Sequence, residues 1–337
     1  MRLLALARPD RDADLCLVCV CVPLCGAEVT TLAGSSTSGY RDGPVHLARF
    51  NNPRGVVCGK DGVIYVADTD NNCIRAISNG QVTTIAGSNK FFSVFHRDGP
   101  GAKARFFTPF GLTIDHDGHL IVADLRNQCI RRVTLPDCTV STIFRTRPRD
   151  ANNMTINVPL HPSDVAIDHN GDIIVSDLSS NCVHKVSGYR AGDPSQVSVS
   201  LVAGTRYVEG GTDSARGPAT FGCVYGVAVA PNGSILVAES SNHRVRHLSL
   251  GARGAYTRTC AGTLKRRPKD APCVADGFNT PLRTPFGVAV DGGGRVVFMD
   301  QNYVMEIDWK KKEVRPLAGS APGFADGPCD VAKFDSL

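Results

Sequence analysis

Short motifs recur in one order along almost the entire chain, and this repetition limits how it can fold. In the first copy they read VTTLAG (29–34), RDGP (41–44), NPRG (52–55), IYVAD (64–68) and NNCIR (71–75). The second copy keeps this order up to NQCIR (127–131), and looser copies follow. One unit of such an array cannot bury its apolar face alone, so it packs against its neighbours. The chain is therefore predicted to be a single array of similar units.

Each unit contains four short apolar runs. In the second unit they read GLTI (111–114), LIVA (120–123), CIRRV (129–133) and VSTIF (140–144). Such runs, rich in β-branched residues and separated by turn residues, are typical of β-strands. A dipeptide such as Asp117–Gly118 stands between the first and second runs and favours a tight hairpin. The pattern predicts a four-stranded antiparallel meander in each unit, with five complete units.

The first strand of each unit suggests how the meanders are arranged. Its alternate position carries a small residue in every unit: Val57, Thr113, Ala166, Ala228 and Ala289. Small side chains suit an innermost strand that is crowded around an axis. A linear stack would instead expose wide sheet faces at its ends. The predicted fold class is therefore all-β, a β-propeller of four-stranded antiparallel blades.

The chain resembles the NHL-repeat family of β-propellers, in particular the subgroup with a DGPxxxAxF element between outer and inner strands. The element reads DGPVHLARF (42–50), DGPGAKARF (98–106) and DGPCDVAKF (326–334). The resemblance covers roughly residues 29–337. The third unit lacks the element and has HPSD where PxG is expected, and the fourth has CVYG. A binding role repeated in every blade is therefore not expected.

The resemblance also implies how the ring closes. Propellers of this kind join an N-terminal outer strand to the C-terminal inner strands of one blade. The chain opens with the outer-strand sequence VTTLA (29–33) and ends soon after a DGP element. We therefore expect a propeller over residues 28–337 that is incomplete at its C-terminus, with five complete blades here and six in the full-length protein. A five-bladed ring with one spare end strand is the alternative.

The N-terminus differs from the repeats. Arg2, Arg8 and Arg11 precede the apolar run LCLVCVCVPLC (15–25), and the small residues Gly26 and Ala27 follow. This order predicts a cleavable signal peptide over residues 1–27, and hence a secreted protein or one in the lumen of the secretory pathway. The alternative is an apolar N-terminal strand in a cytoplasmic protein. Beyond this segment, the sequence predicts no membrane span.

One position faces the channel mouth in every blade, namely the residue inside PxG or its equivalent. The predicted binding residues are Arg54, Phe110, Ser163, Tyr225 and Phe286. In propellers, the outer-to-inner loops and the second-to-third turns emerge on this face, so the DGP loops are expected beside it. Aromatic residues and arginine are favoured at binding surfaces, and the expected partner is a protein, a peptide or a glycan. The alternative is that these side chains only plug the channel.

Catalytic and metal-binding functions are not favoured. Asp68, Asp124, Asp177 and Asp300 recur once per blade, as turn-capping residues do, and equivalent positions lie too far apart to share a calcium ion. No catalytic motif is evident, so no cofactor, metal or catalytic residue is predicted. Six-bladed relatives of the resemblance include metal-dependent lactonases and lyases, which makes a hydrolase or lyase of that class the alternative. The preferred interpretation is a non-catalytic binding module.

Charge and cysteine content add two expectations. A net charge of +5 over 337 residues is a weak basic bias. The clusters KRRPK (265–269) and KKK (310–312) have no interleaved aromatic residues, so solvated loops are expected and nucleic-acid binding is not. Cys73, Cys129 and Cys182 occupy one repeat position, and buried thiols are expected there because equivalent positions lie too far apart to bridge.

Overall fold

The structure is a computed structural model that describes residues 17–19, 28–89, 96–145, 160–214, 218–251, 254–268 and 277–334. Most of the predicted signal peptide, residues 1–27, lies outside these ranges. The chain begins with β1 (Leu17–Cys19) and β2 (Glu28–Ala33), which pair antiparallel. In the described ranges, no helix is long and apolar enough to cross a bilayer.

Five four-stranded antiparallel meanders follow. The first blade has a short extra strand, and its strands are β3 (Gly43–Pro44), β4 (Pro53–Cys58), β5 (Ile64–Asp68), β6 (Cys73–Ser78) and β7 (Gln81–Gly87). The second and third blades comprise β8 (Pro109–Ile114), β9 (Leu120–Asp124), β10 (Cys129–Thr134), β11 (Thr139–Arg145), β12 (Pro162–Ile167), β13 (Ile173–Asp177), β14 (Cys182–Ser187) and β15 (Ser198–Ala203).

The fourth and fifth blades comprise β16 (Val224–Val229), β17 (Ile235–Glu239), β18 (Arg244–Gly251), β19 (Gly254–Gly262), β20 (Pro285–Val290), β21 (Val296–Asp300), β22 (Tyr303–Asp308) and β23 (Glu313–Ala318), and β24 (Gly327–Pro328) follows. Short 3-10 turns span Thr69–Asn71, Gly101–Lys103, Leu125–Asn127, Tyr189–Ala191 and Pro194–Gln196. Within each blade, neighbours along the chain are neighbours in the sheet, except that β3 pairs with β7. The predicted all-β propeller of four-stranded antiparallel blades, with five complete blades, is confirmed.

The innermost strands β4, β8, β12, β16 and β20 pack side by side around the axis. The glycine of PxG permits this close approach. A Cβ atom on Gly55 would lie 2.5 Å from the carbonyl oxygen of Phe110, and one on Gly226 would lie 2.4 Å from that of Phe286. A side chain at these positions would therefore push neighbouring blades apart.

A buried arginine explains why the motifs recur together. In the second blade, Arg131 donates to Asp124 of VAD at 2.9 Å and to Asp98 of DGP at 2.7 Å. Its guanidinium carbon lies 4.9 Å from the ring centroid of Phe106, the Phe of AxF. Arg131 is completely buried, so the two carboxylates offset the cost of removing its charge from water. Arg75 and Arg246 occupy the same position in the first and fourth blades.

The loops that carry DGP contact the second-to-third turns as expected, since Asn71 donates to the Gly39 carbonyl at 2.8 Å, but the DGP residues themselves do not lie beside the mouth. Each DGP segment runs antiparallel along the outermost strand of the following blade: β3 pairs with β7, and Gly99 bridges to Val140. The aspartate binds a threonine of that outer strand, as Asp98 does with the Thr142 hydroxyl at 2.9 Å. These segments fail to reach the mouth because Asp98 is held against Arg131 within the blade.

The N-terminal strand β2 takes part in this arrangement. β24 pairs with β2 through Glu28–Pro328 and Val29–Gly327, and the Thr31 hydroxyl donates to Asp326 at 2.9 Å. Val29 packs with residues of the fifth blade, and Ala33 packs with residues of the first. Strand β2 therefore lies between the fifth and first blades, and it contacts its DGP segment as β7 contacts β3.

Two blades depart from the arginine pattern. In the third, the arginine position holds the buried His184, whose Nε2 lies 3.5 Å from Asp177. In the fifth it holds Met305, and Arg267 of the 265–269 cluster donates to Asp300 at 3.1 Å instead. Arg267 is only 5% exposed, so the expectation of a fully solvated basic loop was wrong for this residue.

The cysteines that recur once per blade are buried and unbridged, as predicted. Cys73, Cys129 and Cys182 each have zero exposure, and none of the eight cysteines between Cys58 and Cys329 whose side chains are described forms a disulfide. Burial raises the pKa of all three thiols. Thiols of raised pKa are poor nucleophiles, which is consistent with a packing role.

Candidate binding face at the channel mouth

Three of the predicted mouth residues form one aromatic cluster. The ring centroids of Tyr225 and Phe286 lie 4.2 Å apart and the rings are stacked. Phe110 lies 5.8 Å from Phe286 and 6.2 Å from Tyr225, in tilted geometry. These residues begin the inner strands of the second, fourth and fifth blades, so their contact places them at the axis. All three remain partly exposed.

Arg54 completes this cluster from the first blade. Its guanidinium carbon lies 5.3 Å from the Phe110 centroid and 5.0 Å from the Phe286 centroid, within the range of cation–π attraction. Burial lowers the pKa of Arg54 to about 10, against the opposing effects of Tyr225 and Asp70. The side chain is still a cation at neutral pH. The mouth cluster, defined as Arg54, Phe110, Tyr225 and Phe286, is thus an aromatic surface with one positive charge.

Ser163, the fifth predicted mouth residue, is not brought to this cluster. It is fully buried, and its hydroxyl lies 2.9 Å from the hydroxyl of Ser176 and from the carbonyl oxygens of Val224 and Tyr225. These contacts join the third blade to the fourth. The position within PxG therefore reaches the axis when it carries a long side chain, whereas a serine stays between the blades.

Beyond the mouth cluster, a channel cavity of about 530 Å³ extends toward the hairpin end of the blades. Its wall includes the small residues predicted to face inward, namely Val57, Thr113, Ala166, Ala228 and Ala289. His116, Asp291 and Gly292 line it at the hairpin end. The cavity wall is therefore of mixed polarity: four of the five inward positions are alanine or valine, whereas His116 and Asp291 add polar groups at the hairpin end, and the aromatic rings bound the cavity on the mouth side.

One channel residue, Asp164, was not among the predicted site residues. It stands where other blades carry the glycine of PxG, and its carboxylate accepts from the backbone amides of Val227 at 3.1 Å and Val165 at 2.9 Å. Part of the side chain faces the cavity, but protein surrounds it at depth. Burial raises the pKa of Asp164 to about 7 despite these hydrogen bonds. The signal was present in HPSD, where a carboxylate replaces a glycine.

The repeated acidic residues serve the scaffold. Asp68 accepts from the Asn51 amide at 2.7 Å, from Asn71 at 2.9 Å and from Arg75 at 2.6 Å. Burial raises the pKa of Asp68 to about 6, while Arg75 opposes that rise. Within the described ranges, no three His, Cys, Asp or Glu side chains converge as a metal-ligand set.

Together, the blade topology, the narrow channel and the absence of α-helix from the described blades define a β-propeller. Its repeat belongs to a known class: the NHL repeat family model matches residues 50–77 and 221–248. These matches lie in the first and fourth blades, and they support the resemblance to NHL-repeat β-propellers that the DGP and VAD motifs indicated.

Two curated relatives extend this result over more of the sequence. The chain is 24% identical over 308 residues to Protein SUPPRESSOR OF QUENCHING 1, chloroplastic, of Arabidopsis thaliana, covering 85% of this chain and 28% of the relative. It is 25% identical over 306 residues to NHL repeat-containing protein 2 of Bos taurus, covering 64% of this chain and 41% of the relative. The chain thus spans less than half the length of both relatives.

Solved structures share the fold at low sequence identity. A protein of unknown function from Bacteroides thetaiotaomicron aligns with a TM-score of 0.66 and 14% identity, over 92% of this chain and 69% of that one. A gluconolactonase from Xanthomonas campestris aligns with a TM-score of 0.53 and 11% identity, over 98% and 88%. At such identities the similarity concerns the fold alone.

Proposed function

We propose that this NHL-repeat β-propeller is a non-catalytic binding module that captures a protein, peptide or glycan through its mouth face. The observation that carries the proposal is the convergence of Arg54, Phe110, Tyr225 and Phe286 at the axis, with their side chains partly exposed. Partly exposed aromatic rings supply contact area at small entropic cost, and arginine adds a directional charge. Closing the channel and binding a partner are compatible roles, because the outer faces of the same rings form the surface.

The alternative is a metal-dependent hydrolase or lyase. The gluconolactonase with the same fold favours testing it. The composition of the cavity supports the binding role instead, because its inward positions are mainly alanine and valine. Hydrolysis of lactones by the purified full-length protein, dependent on an added divalent cation, would favour the alternative. If lactones are hydrolysed at the same rate with and without the protein, the hydrolase alternative is excluded.

The deciding experiment compares two triple variants as bait. Phe110→Ala/Tyr225→Ala/Phe286→Ala, the mouth variant, removes the mouth rings. Leu201→Ala/Leu250→Ala/Tyr256→Ala, the control variant, removes three exposed hydrophobic side chains from the third and fourth strands of the third and fourth blades. We expect the wild type and the control variant to capture the same proteins or glycans in similar amounts. The mouth variant should capture at least tenfold less of each. Circular dichroism and thermal unfolding check that both variants fold. Equal capture by the two variants would reject the mouth assignment.

A milder substitution tests the charge separately. Arg54→Gln keeps most of the packing against Phe110 and Phe286 but removes the cation. We expect the same partners to bind more weakly and with less dependence on salt, because charge contributes mainly to orientation and association rate. Unchanged affinity and unchanged salt dependence would exclude Arg54 from recognition.

We also propose that the protein enters the secretory pathway. Support comes from the apolar run 15–25, which follows three arginines and precedes Gly26 and Ala27. N-terminal sequencing of the mature protein should then begin at Glu28. A mature protein that retains Met1 would reject the signal and return the protein to the cytoplasm.

The geometry of β2 further supports a six-bladed propeller. Strand β2 binds β24 and Asp326 as other outermost strands bind their DGP segments, and it lies between the fifth and first blades. We propose that three inner strands complete this sixth blade in the full-length protein, on the edge of β2 that β1 occupies here. Cleavage of the predicted signal peptide, which contains β1, would free this edge. In that protein, amide hydrogen exchange in β2 should be as slow as in β7. Fast exchange in β2 alone would reject the sixth blade.

A further inference from the structure

A second cavity, of about 560 Å³, lies at the hairpin end between the fourth and fifth blades. It is formed by the tight turns at Asn232 and at residues 292–294, and by the turn of the fifth blade that carries Trp309. These turns are at the opposite end of the blades from the mouth cluster. The cavity, here called the Trp309 pocket, is thus separate from the proposed binding face.

The Trp309 pocket has an apolar floor and an aromatic wall. Leu236 and Val296 are each 1% exposed and line its base. The Trp309 ring meets His247 at 5.6 Å and Phe278 at 5.7 Å, both in edge-on geometry. Such a wall favours a ligand with a flat apolar body.

The pocket does not arise from the repeat, because the equivalent space between the first and second blades is filled. There, Tyr65 takes the place of Leu236 and Val63 the place of Ser234, and both pack into the core with Leu135. The smaller Leu236 and Ser234, together with the glycine turn 292–294, leave room between the fourth and fifth blades.

Two of the described residues that line the pocket, Arg258 and Lys312, are cations. Arg258 lies over Trp309, with its guanidinium carbon 5.8 Å from the ring centroid, and Lys312 stands at the rim. Burial, aided by Arg258, lowers the pKa of His247, so this ring is neutral at pH 7 and available for hydrogen bonding. No carboxylate is among the described residues that line the pocket. Two cations beside an aromatic wall complement an anion.

We propose that the Trp309 pocket binds a small anion with a flat apolar body, such as an aromatic carboxylate or sulfate. The apolar body lies over Leu236 and Val296, against the wall formed by Trp309, Phe278 and His247. The anionic group is bound by Arg258, with Lys312 adding to the positive field at the rim. The proposal does not depend on the mouth cluster, and a failure of either assignment leaves the other intact.

The test uses 2-naphthoate and its neutral isostere 2-naphthamide, titrated into the full chain by isothermal calorimetry. We expect 2-naphthoate to bind at least tenfold more tightly than 2-naphthamide. Arg258→Gln, a substitution at an exposed position, should weaken the binding of 2-naphthoate at least fivefold and leave the affinity for 2-naphthamide unchanged. Lys310→Gln, at the exposed residue next to Trp309 that does not line the pocket, is the matched control and should change neither.

Two further measurements locate the binding. Trp309 is the only tryptophan of the chain, so benzoate should change the intrinsic emission excited at wavelengths that benzoate does not absorb. Leu236→Tyr, which restores the residue found in the first blade, should abolish binding of both naphthyl probes. Equal affinity for 2-naphthoate and 2-naphthamide would overturn the anion assignment. Tight binding of 2-naphthoate that survives both Arg258→Gln and Leu236→Tyr would overturn the site.

Discussion

The second and third blades share a backbone plan but differ in what holds their segments together. In the second, Arg131 joins three parts of the chain: Asp124 of the same blade, Asp98 of the preceding DGP segment and the ring of Phe106. In the third, His184 contacts Asp177 and Ser180 of its own blade. The third unit also lacks the DGPxxxAxF element in its sequence.

This difference teaches that the DGP aspartate, the AxF phenylalanine and the arginine act as one unit. The fourth blade supports this view, because it keeps the same contacts although its sequence departs from the motifs. Asp213 and Glu239 bind Arg246 there, and Phe221 stacks on it at 5.2 Å. The chemistry of the positions is retained, although the motif DGP is absent.

The largest expected effect comes from removing the arginine. Arg131→Met leaves Asp124 buried without its cation, and we expect a loss of about 3–5 kcal/mol in the free energy of unfolding. His184→Met should cost less, because Asp177 keeps bonds from Ser179, Ser180 and the His161 amide. Urea denaturation measures both.

Arg190→Met is the surface control for this pair of variants. Arg190 binds Asp117 at 2.5 Å, but both side chains are exposed, and exposed ion pairs contribute little. If Arg131→Met lowers the free energy of unfolding no more than His184→Met or Arg190→Met does, the proposed role of the buried arginine is contradicted.

An intermediate effect concerns the pH dependence of the third blade, in which the pKa values of Asp164 and Asp177 are shifted in opposite directions. Burial raises the pKa of Asp164 to about 7, so the folded state holds its proton after the unfolded chain has lost it. Asp164 therefore lowers stability progressively as pH rises from about 4 to about 7. Asp164→Asn should remove this decline, which is on the order of 2–4 kcal/mol after allowing for access of channel solvent.

The pKa of Asp177 is shifted in the opposite direction, so this residue serves as the comparison for Asp164. Burial would raise its pKa, but bonds from His184, Ser180, the His161 amide and Ser179 lower it to about 2. Its contribution is complete above pH 4 and is lost as pH falls toward 2. Urea denaturation at pH 3, 5 and 8 separates the two acids, and an Asp164→Asn variant with the wild-type slope between pH 4 and 7 would refute the assignment.

The smallest expected effect tests whether β2 is held like an outermost strand. Thr31→Val removes the hydroxyl that donates to Asp326. Thr84→Val removes the one that donates to Asp42 and also bonds the Tyr40 hydroxyl at 2.8 Å. Each lost hydrogen bond should cost about 0.5–1.5 kcal/mol, the typical net value of such a bond. A measurable loss for Thr84→Val with none for Thr31→Val would show that β2 is docked more loosely than β7.

The sequence was sufficient to predict the blades, because turn dipeptides and β-branched runs act locally and recur. The mouth cluster was also accessible from sequence, since equivalent positions of a ring point to one axis. Phe110, Tyr225 and Phe286 do meet there, whereas Ser163 is too short to leave the interface between blades.

The features that were missed depend on distant parts of the chain. Asp213 lies eight residues before Phe221, the same spacing as Asp42 to Phe50, and this spacing was a usable signal. The contact of Arg267 with Asp300 had no such signal in the sequence, because Arg267 approaches from a loop that follows the preceding blade. The Trp309 pocket likewise depends on the size of Leu236 relative to Tyr65, which matters only once blades are neighbours.

The bond between Thr31 and Asp326 joins residues 295 positions apart. During synthesis, Thr31 of β2 is made 295 residues before Asp326, so β2 must wait for almost the entire described chain before its DGP partner is made. Contacts of such long sequence separation form slowly, because loop closure must come first. Until then one edge of β2 lacks its native partner, and unpaired strand edges favour aggregation. This strand is therefore where we expect a chaperone to matter most during biogenesis.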